Sequence, residues 1–151
     1  MIIIRKAVTD DKHKIQEIIK NTDFNQFDFN KHPEHTMVVE LEHTIIGCAT
    51  LDICGNLAHI GFVYIIPSYQ NQGLGDGLVR ALINYADRRN VKKIYIFYDK
   101  KVDYFKRFGF KYITSNKCDN KIYETSDINI SKHSFIMELD VNEFFNNCQC
   151  H

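Results

Sequence analysis

The run Val63-Tyr64-Ile65-Ile66-Pro67-Ser68-Tyr69-Gln70-Asn71-Gln72-Gly73-Leu74-Gly75-Asp76-Gly77-Leu78 reads as a buried strand, a proline stop, a polar turn with closely spaced glycines, and a helix. Glycines between a strand and a helix N-terminus let several main-chain N–H groups converge on one point, and the helix dipole adds partial positive charge there. Such a turn makes an anion seat, most directly for phosphates. Taken alone, Gly73 and Gly75 fit a plain strand-to-helix turn about equally well.

Other residue groups carry less. Cys148-x-Cys150-His151 offers three soft ligands, but they are adjacent, at a chain end, and without a fourth ligand or supporting partners. A solvent-exposed tail is the better reading, and no metal is expected. Arg88-Arg89 and Lys92-Lys93 form a small basic run that reads as solvated surface.

At 151 residues, the chain has the length of one domain. Nineteen Lys and Arg balance nineteen Asp and Glu, so charge gives no reason to expect nucleic acid or an anionic membrane as partner. Seven histidines can make the surface cationic at mildly acid pH. No apolar run approaches the ~20 residues of a membrane span. The start, Met1-Ile2-Ile3-Ile4-Arg5, falls directly into a strand pattern, so no signal peptide is expected. Cysteines are odd in number, at five, and Cys48 and Cys54 sit in apolar strand-like runs. A reducing cytoplasm is the simpler expectation.

The elements that must position the glycine turn follow from periodicity. Ile2–Lys6 is a strand; Thr9 is expected to cap a helix whose first turn holds Asp10 and Asp11 and whose apolar stripe is Ile15, Ile18 and Ile19. Phe24 to His35 is aromatic and polar without a clean period. Packing of Phe24 and Phe27 into the core is favoured over a site-lining loop carrying His32 and His35. Met37–Leu41 and Thr44–Ile53 form a hairpin turning at Glu42-His43, with Gly47 as the place for a bulge. Gly55-Asn56 turns into a third strand, Leu57–Ile66, which Pro67 ends.

From Leu74 the spacing of Leu78, Val79, Leu82, Ile83 and Ala86 predicts a helix, with Asn90 as a left-handed cap. Val91–Tyr98 is a strand, Lys101–Phe108 a short amphipathic helix stopped by Gly109, and Phe110–Thr114 a strand. Ser115–Lys132 reads as a surface loop, Ser134–Asp140 as a last strand, and Val141–Phe145 as a helical turn. The whole predicts one domain over 1–145 with a flexible tail at 146–151. Its fold class is α/β: a mixed, mostly antiparallel central sheet with helices on both faces and one parallel βαβ crossover at the glycine turn.

These residues carry a resemblance. Gln70-x-x-Gly73-x-Gly75 after a proline-terminated strand is similar to motif A of the GNAT N-acetyltransferases. Tyr104-Phe105-Lys106-Arg107-Phe108-Gly109-Phe110 resembles that family's closing signature of two aromatics, three residues and Gly-Phe. The strand with Arg5 and the Thr9-Asp10-Asp11 helix start resemble a GNAT beginning, and the element order matches from about residue 2 to 140.

The resemblance implies acetyl-CoA as co-substrate, in a V-shaped opening between the fourth and fifth strands. Main-chain N–H groups of Gln72, Gly73, Leu74, Gly75 and Asp76 would cradle the pyrophosphate, and Gln70 and Asn71 of the same motif are counted with the cofactor-binding residues. The pantetheine arm would pair with the backbone of Val63, Tyr64 and Ile65 like an added strand. Asp99 stands where the family has an asparagine that contacts this arm. The implied reaction is direct acetyl transfer to a primary amine of a small molecule. An alkyl ammonium titrates at about 10.4, so roughly one molecule in two thousand is free amine at neutral pH, and a base is needed. His59 is the first candidate: it lies four residues before Val63, near where histone-type members carry a glutamate, and an imidazole can accept a proton at pH 7. Asp52, Glu40 and His43 are competing groups that sequence does not rank. A backbone N–H near Ile65 would serve the oxyanion.

In many members the second aromatic of the closing signature is a tyrosine that protonates the leaving thiolate. Here Phe105 takes that position and is expected among the cofactor-binding residues; Tyr104 comes first, and one helical step turns a side chain by ~100°. Tyr104 is kept as the acid candidate beside a packing role, as the same aromatic order occurs in histone-type members. The implied partners are acetyl-CoA or CoA and an amine acceptor, with self-association to a homodimer left open. Two other readings stand beside it: a non-catalytic acyl-CoA sensor or interaction domain, and a protein or peptide N-acetyltransferase.

Overall fold

The computed structural model describes residues 1–25, 27, 29, 35–114 and 135–148. Among the described residues, seven strands form a mixed sheet in the order β1-β2-β3-β4-β5-β7-β6. It is mostly antiparallel, and its parallel pair is β4–β5. The chain divides by internal packing into two units, Met1–Leu51 with Gly61–Asn84, and Asp52–Ile60 with Tyr85–His151.

The first unit holds β1 (Ile2–Lys6), α1 (Lys12–Ile19), β2 (Thr36–Leu41), β3 (Thr44–Cys54) as far as Leu51, β4 (Leu57–Ile65) from Gly61 on, and α2 (Leu74–Arg88) through Asn84. Ile15 and Ile19 of α1 bury completely or nearly so with Ala7, Phe29, Val38, Ile45, Cys48 and Phe62. Each such aliphatic side chain withdrawn from water contributes about 1.5–3 kcal/mol. Phe24 and Phe27 join this core, Phe24 stacking on Phe62 with ring centroids 4.7 Å apart. The packing reading of these aromatics therefore holds, whereas His32 lies outside the described residues.

Thr9 is not the cap of α1. It opens a 3₁₀ turn, Thr9–Asp11, and the Asp11 carboxylate reaches back to accept the Val8 N–H at 2.7 Å. A charged acceptor already fixed by Arg5 outcompetes a hydroxyl for that donor. The β2–β3 hairpin closes on two residues, Glu42 (φ 46°) and His43 (φ 68°), both left-handed, as the right-handed twist of the flanking strands requires.

The β2–β3 register shifts between Val39, opposite Gly47, and Glu40, opposite Ile45, so β3 carries one extra residue at Ile46. The bulge thus adjoins the glycine from which it was expected. Gly47 itself is there for crowding: a Cβ at this position would lie 2.8 Å from the Tyr64 carbonyl oxygen and 2.5 Å from Ile65 Cδ1.

The second unit holds the end of β3, the start of β4, β5 (Lys93–Tyr98), a 3₁₀ turn (Tyr104–Phe108), β6 (Lys111–Ile113), β7 (Phe135–Asp140) and α3 (Val141–Cys148). β4 and β5 run parallel from Leu57 opposite Lys93 to Ile60 opposite Ile96. Leu57, Tyr95 and Ile136 form a core with Phe97 and Ile113 packed against it. α2 ends as expected at Asn90 (φ 64°). The Asn90 N–H donates to Asp87 O and the Val91 N–H to Ala86 O, both at 3.0 Å, which closes a Schellman motif.

Two further expectations are corrected. The helix over Lys101–Phe108 is only the five-residue turn Tyr104–Phe108, whose C-cap is left-handed Gly109. The segment from 146 is not all tail, since α3 runs through Cys148. Asp140 Oδ1 caps it by accepting the Glu143 N–H at 3.1 Å, while Val141 and Phe144 bury on one side. The Ser115–Lys132 loop, Cys150 and His151 lie outside the described residues. No helix among the described residues is long and apolar enough to cross a membrane.

Candidate functional site

β4 delivers the chain to Ile65, and Pro67 cannot continue the ladder, so Pro67–Tyr69 folds into a 3₁₀ turn. Gln70, Asn71, Gln72 and Gly73 follow, all exposed. Asn71 (φ 65°) and Gly73 (φ 81°) are left-handed, the first at a residue type that tolerates it and the second at glycine. Nothing lies within 4 Å of where a Gly73 Cβ would point, so the glycine answers a backbone demand and the space beside it is open.

The Gly77 N–H donates to Gly73 O at 3.1 Å, the first bond of α2, which leaves the N–H groups of Leu74 and Gly75 aimed out of the helix end. Asp76 in that first turn complements the dipole. The turn is exposed, with main-chain donors at the helix start and open space beside Gly73.

Gln70 is bound into the turn, its side-chain amide donating to Ile65 O at 2.7 Å. Val63 and Tyr64 are half-buried and Ile65 buried. The Tyr64 ring packs edge-on to Phe24 at 6.3 Å.

In the second unit, His59 is buried and its Nε2 stands 3.5 Å from Asp52 Oδ2. Phe97 walls the imidazole, the two ring centroids 6.0 Å apart. The groups competing with His59 lie in different surroundings. Asp52 is beside His59. Glu40 is held by Arg5 at 3.0 Å, and His43 sits exposed at the hairpin turn.

Tyr104 is half-buried, edge-on to Phe105 and Phe108, with the Arg107 guanidinium 4.4 Å above its ring. Phe105 is 2% exposed among Tyr98, Phe108 and Phe110, so its ring serves packing of the turn. Tyr98 stacks on it at 6.1 Å, and burial pushes the Tyr98 hydroxyl above the ordinary phenol range, which keeps it protonated. Asp99 is exposed just past β5.

Cys48 is fully buried, and burial pushes its thiol up to about 12. It is no nucleophile at neutral pH. Among the described residues no group of three His, Cys, Asp or Glu is arranged to hold a metal ion.

One cluster escaped the sequence reading. Arg5 donates through both terminal nitrogens to the Asp11 carboxylate at 2.8 and 3.0 Å, and through Nη2 to Glu40 at 3.0 Å. The Arg5 guanidinium holds the Asp11 carboxyl below the usual range against the opposing effect of burial. Only the β1–β2 register, which sets Arg5 opposite Val38, brings Glu40 within reach.

The model of the Acetyltransferase (GNAT) family matches residues 3–110, from β1 through the glycine turn to Gly109-Phe110. The chain belongs to the GNAT acetyltransferase family. An amino-acid acetyltransferase of Aeromonas salmonicida (strain A449) is 29% identical over 75 residues, 48% of this chain and 17% of that protein. Among solved structures, the N-acetylglutamate synthase of Neisseria gonorrhoeae complexed with coenzyme A and N-acetyl-glutamate superposes with a TM-score of 0.78 at 18% identity. That likeness covers 93% of this chain and 35% of the synthase. Rv2747 of Mycobacterium tuberculosis, also in complex with CoA, gives 0.71 at 19% identity, over 91% of this chain and 98% of its own. This GNAT chain thus spans about a third or less of the first two relatives. At these identities the solved structures speak for the fold.

Proposed function

We propose that this GNAT chain is an acetyl-CoA-dependent N-acetyltransferase whose acceptor is the primary amine of a small molecule. The observation that carries the reading is the exposed turn Asn71–Gly73 opening onto the first turn of α2, a seat suited to the pyrophosphate of CoA. CoA-bound neighbours of the same fold support it. The amino-acid acetyltransferase of Aeromonas salmonicida makes amino acids the first acceptors to try.

In this reading the pantetheine amides align along Val63–Ile65. The amine nitrogen attacks the thioester carbonyl, the C–S bond breaks, and CoA leaves as a thiolate that takes up a proton. The ammonium must first lose its proton, and the His59–Asp52 pair supplies the base. The reading takes transfer as direct, and buried Cys48 is no candidate for an acyl-enzyme.

The test is release of free thiol from acetyl-CoA against a panel of amino acids, polyamines and lysine peptides. Turnover confined to a few small amines supports the proposal; turnover on peptides alone overturns the acceptor class. A second reading, a non-catalytic acyl-CoA binder, draws on Phe105, whose buried ring offers no proton where a tyrosine would. Micromolar binding of CoA by calorimetry with no turnover on any amine would establish it.

A further inference from the structure

The two members of the His59–Asp52 pair are not equally placed. The His59 side chain is 11% exposed and that of Asp52 is 29% exposed. Nδ1 of His59 exposes less than 1 Å², so that edge of the ring is closed to solvent. Tyr95 is the register partner of His59 on β5 and is 1% exposed; Phe97 stands edge-on to the imidazole. The ring nitrogen turned toward the carboxylate is Nε2, at 3.5 Å. A base that must take a proton from a bulky ammonium, directly or through water, has to be reached from outside. Of the two groups, the carboxylate is the more exposed.

We propose that Asp52 is the outward, acceptor-facing member of a two-group base and that His59 is the buried proton store behind it. This rests on the acetyltransferase reading above. The proton leaves the amine nitrogen, passes to an Asp52 oxygen and moves on to Nε2 of His59. The amine keeps its electron pair for the thioester carbonyl. The carboxylate ends ionised beside an imidazolium, an ion pair shielded on one side by Phe97. An isolated carboxylate, with an ordinary pKa of about 3.9, is a poor base at neutral pH; the imidazole behind it supplies the missing affinity for the proton. An isolated imidazole in this position would have the affinity and little access. Neither residue suffices, and the pair acts as a unit.

The prediction differs from that of a simple histidine base. Asp52→Asn and His59→Gln each lower kcat by about a hundredfold, the lower end for loss of a general base. The double variant is no worse than either single one, as for residues that act together. KM for acetyl-CoA stays within twofold in all three. Asp52→Glu, which keeps a carboxylate, recovers most of kcat. Asp52→Ala is rescued by millimolar formate, and imidazole does not rescue His59→Ala because the site of the ring is closed.

Circular dichroism and melting temperature establish that each variant is folded before its kinetics are read. Wild-type kcat in Asp52→Asn with loss in His59→Gln overturns this proposal and leaves His59 as the base. Wild-type kcat in both variants removes the base assignment altogether. Absence of turnover in the wild type, with CoA bound, overturns the enzyme reading on which the proposal stands.

Discussion

The side-chain amide of Gln70 donates to the main-chain carbonyl of Ile65 at 2.7 Å, a bond that ties the beginning of the glycine turn to the last residue of β4. It fixes where the turn leaves the strand, and with it the direction in which the donors of α2 point relative to Val63–Ile65. Gln70→Ala removes the tie without removing any N–H of the seat. A neutral hydrogen bond is worth about 0.5–1.5 kcal/mol, so KM for acetyl-CoA should rise about two- to tenfold with kcat within twofold. Steady-state kinetics with saturating amine measures both; an unchanged KM would show that the bond does not set the seat.

Gly73→Ala tests the turn itself. The residue stands at φ 81° with open space beside it, so the cost is conformational rather than steric. A left-handed alanine costs about 1–2 kcal/mol. Two results are expected: a loss of stability of about 1 kcal/mol in urea unfolding, and a rise in the CoA dissociation constant of about tenfold, read by calorimetry. Loss of stability with full CoA affinity would mean that the turn is structural only.

Acid should act first on the Arg5–Asp11 pair. Asp11 titrates lower in the folded chain than its ordinary 3.8, because of the Arg5 hydrogen bonds and despite burial. A depressed carboxyl contributes stability that is present above the unfolded value and is lost as pH falls through the folded one. The urea midpoint of the wild type should therefore drop steeply below about pH 4, where unfolded aspartate takes up its proton. Asp11→Asn should lower the midpoint at pH 7 by the equivalent of about 2 kcal/mol, since it removes a charged acceptor of three hydrogen bonds. Its acid slope should also be shallower. Parallel slopes would place the acid sensitivity elsewhere.

Tyr104 separates packing from proton transfer. Its ring lies against Phe105 and Phe108 and under Arg107, contacts that a phenylalanine keeps. Tyr104→Phe should leave kcat within twofold and the melting temperature within a degree or two. A fall in kcat of about tenfold or more, steepest with poor leaving thiols, would assign the hydroxyl to protonation of CoA thiolate.

What was legible in the sequence was what local spacing encodes. The α2 stripe at Leu78, Val79, Leu82 and Ile83, the proline stop after β4 and the left-handed cap at Asn90 depend on neighbours within a turn or two of the chain, and all three were found. What was missed depends on pairing across strands. Glu40 meets Arg5 because β1 lies antiparallel to β2 in one register, and Asp11 caps the first turn because that same arginine holds it. A local rule gave the cap to Thr9. The pairing of Asp52 with His59 was likewise beyond reach, for both were named and nothing in the sequence ranks an acid on one strand against a base on the next. The length of α3 has a local signal: Asp140 followed three residues later by Glu143, with Val141 and Phe144 on one side.

Gly47 has a consequence for how this protein can change. The space a side chain would take there is filled by the carbonyl oxygen of Tyr64 and the side chain of Ile65. In a saturation library, position 47 should therefore tolerate no substitution, although it touches no ligand in the proposed reaction and lies on the strand beside the one that would carry pantetheine. Its intolerance would be inherited from the backbone of β4. Shortening Ile65 alone would not free Gly47 to vary, because the carbonyl oxygen of Tyr64 would still stand 2.8 Å from any Cβ there.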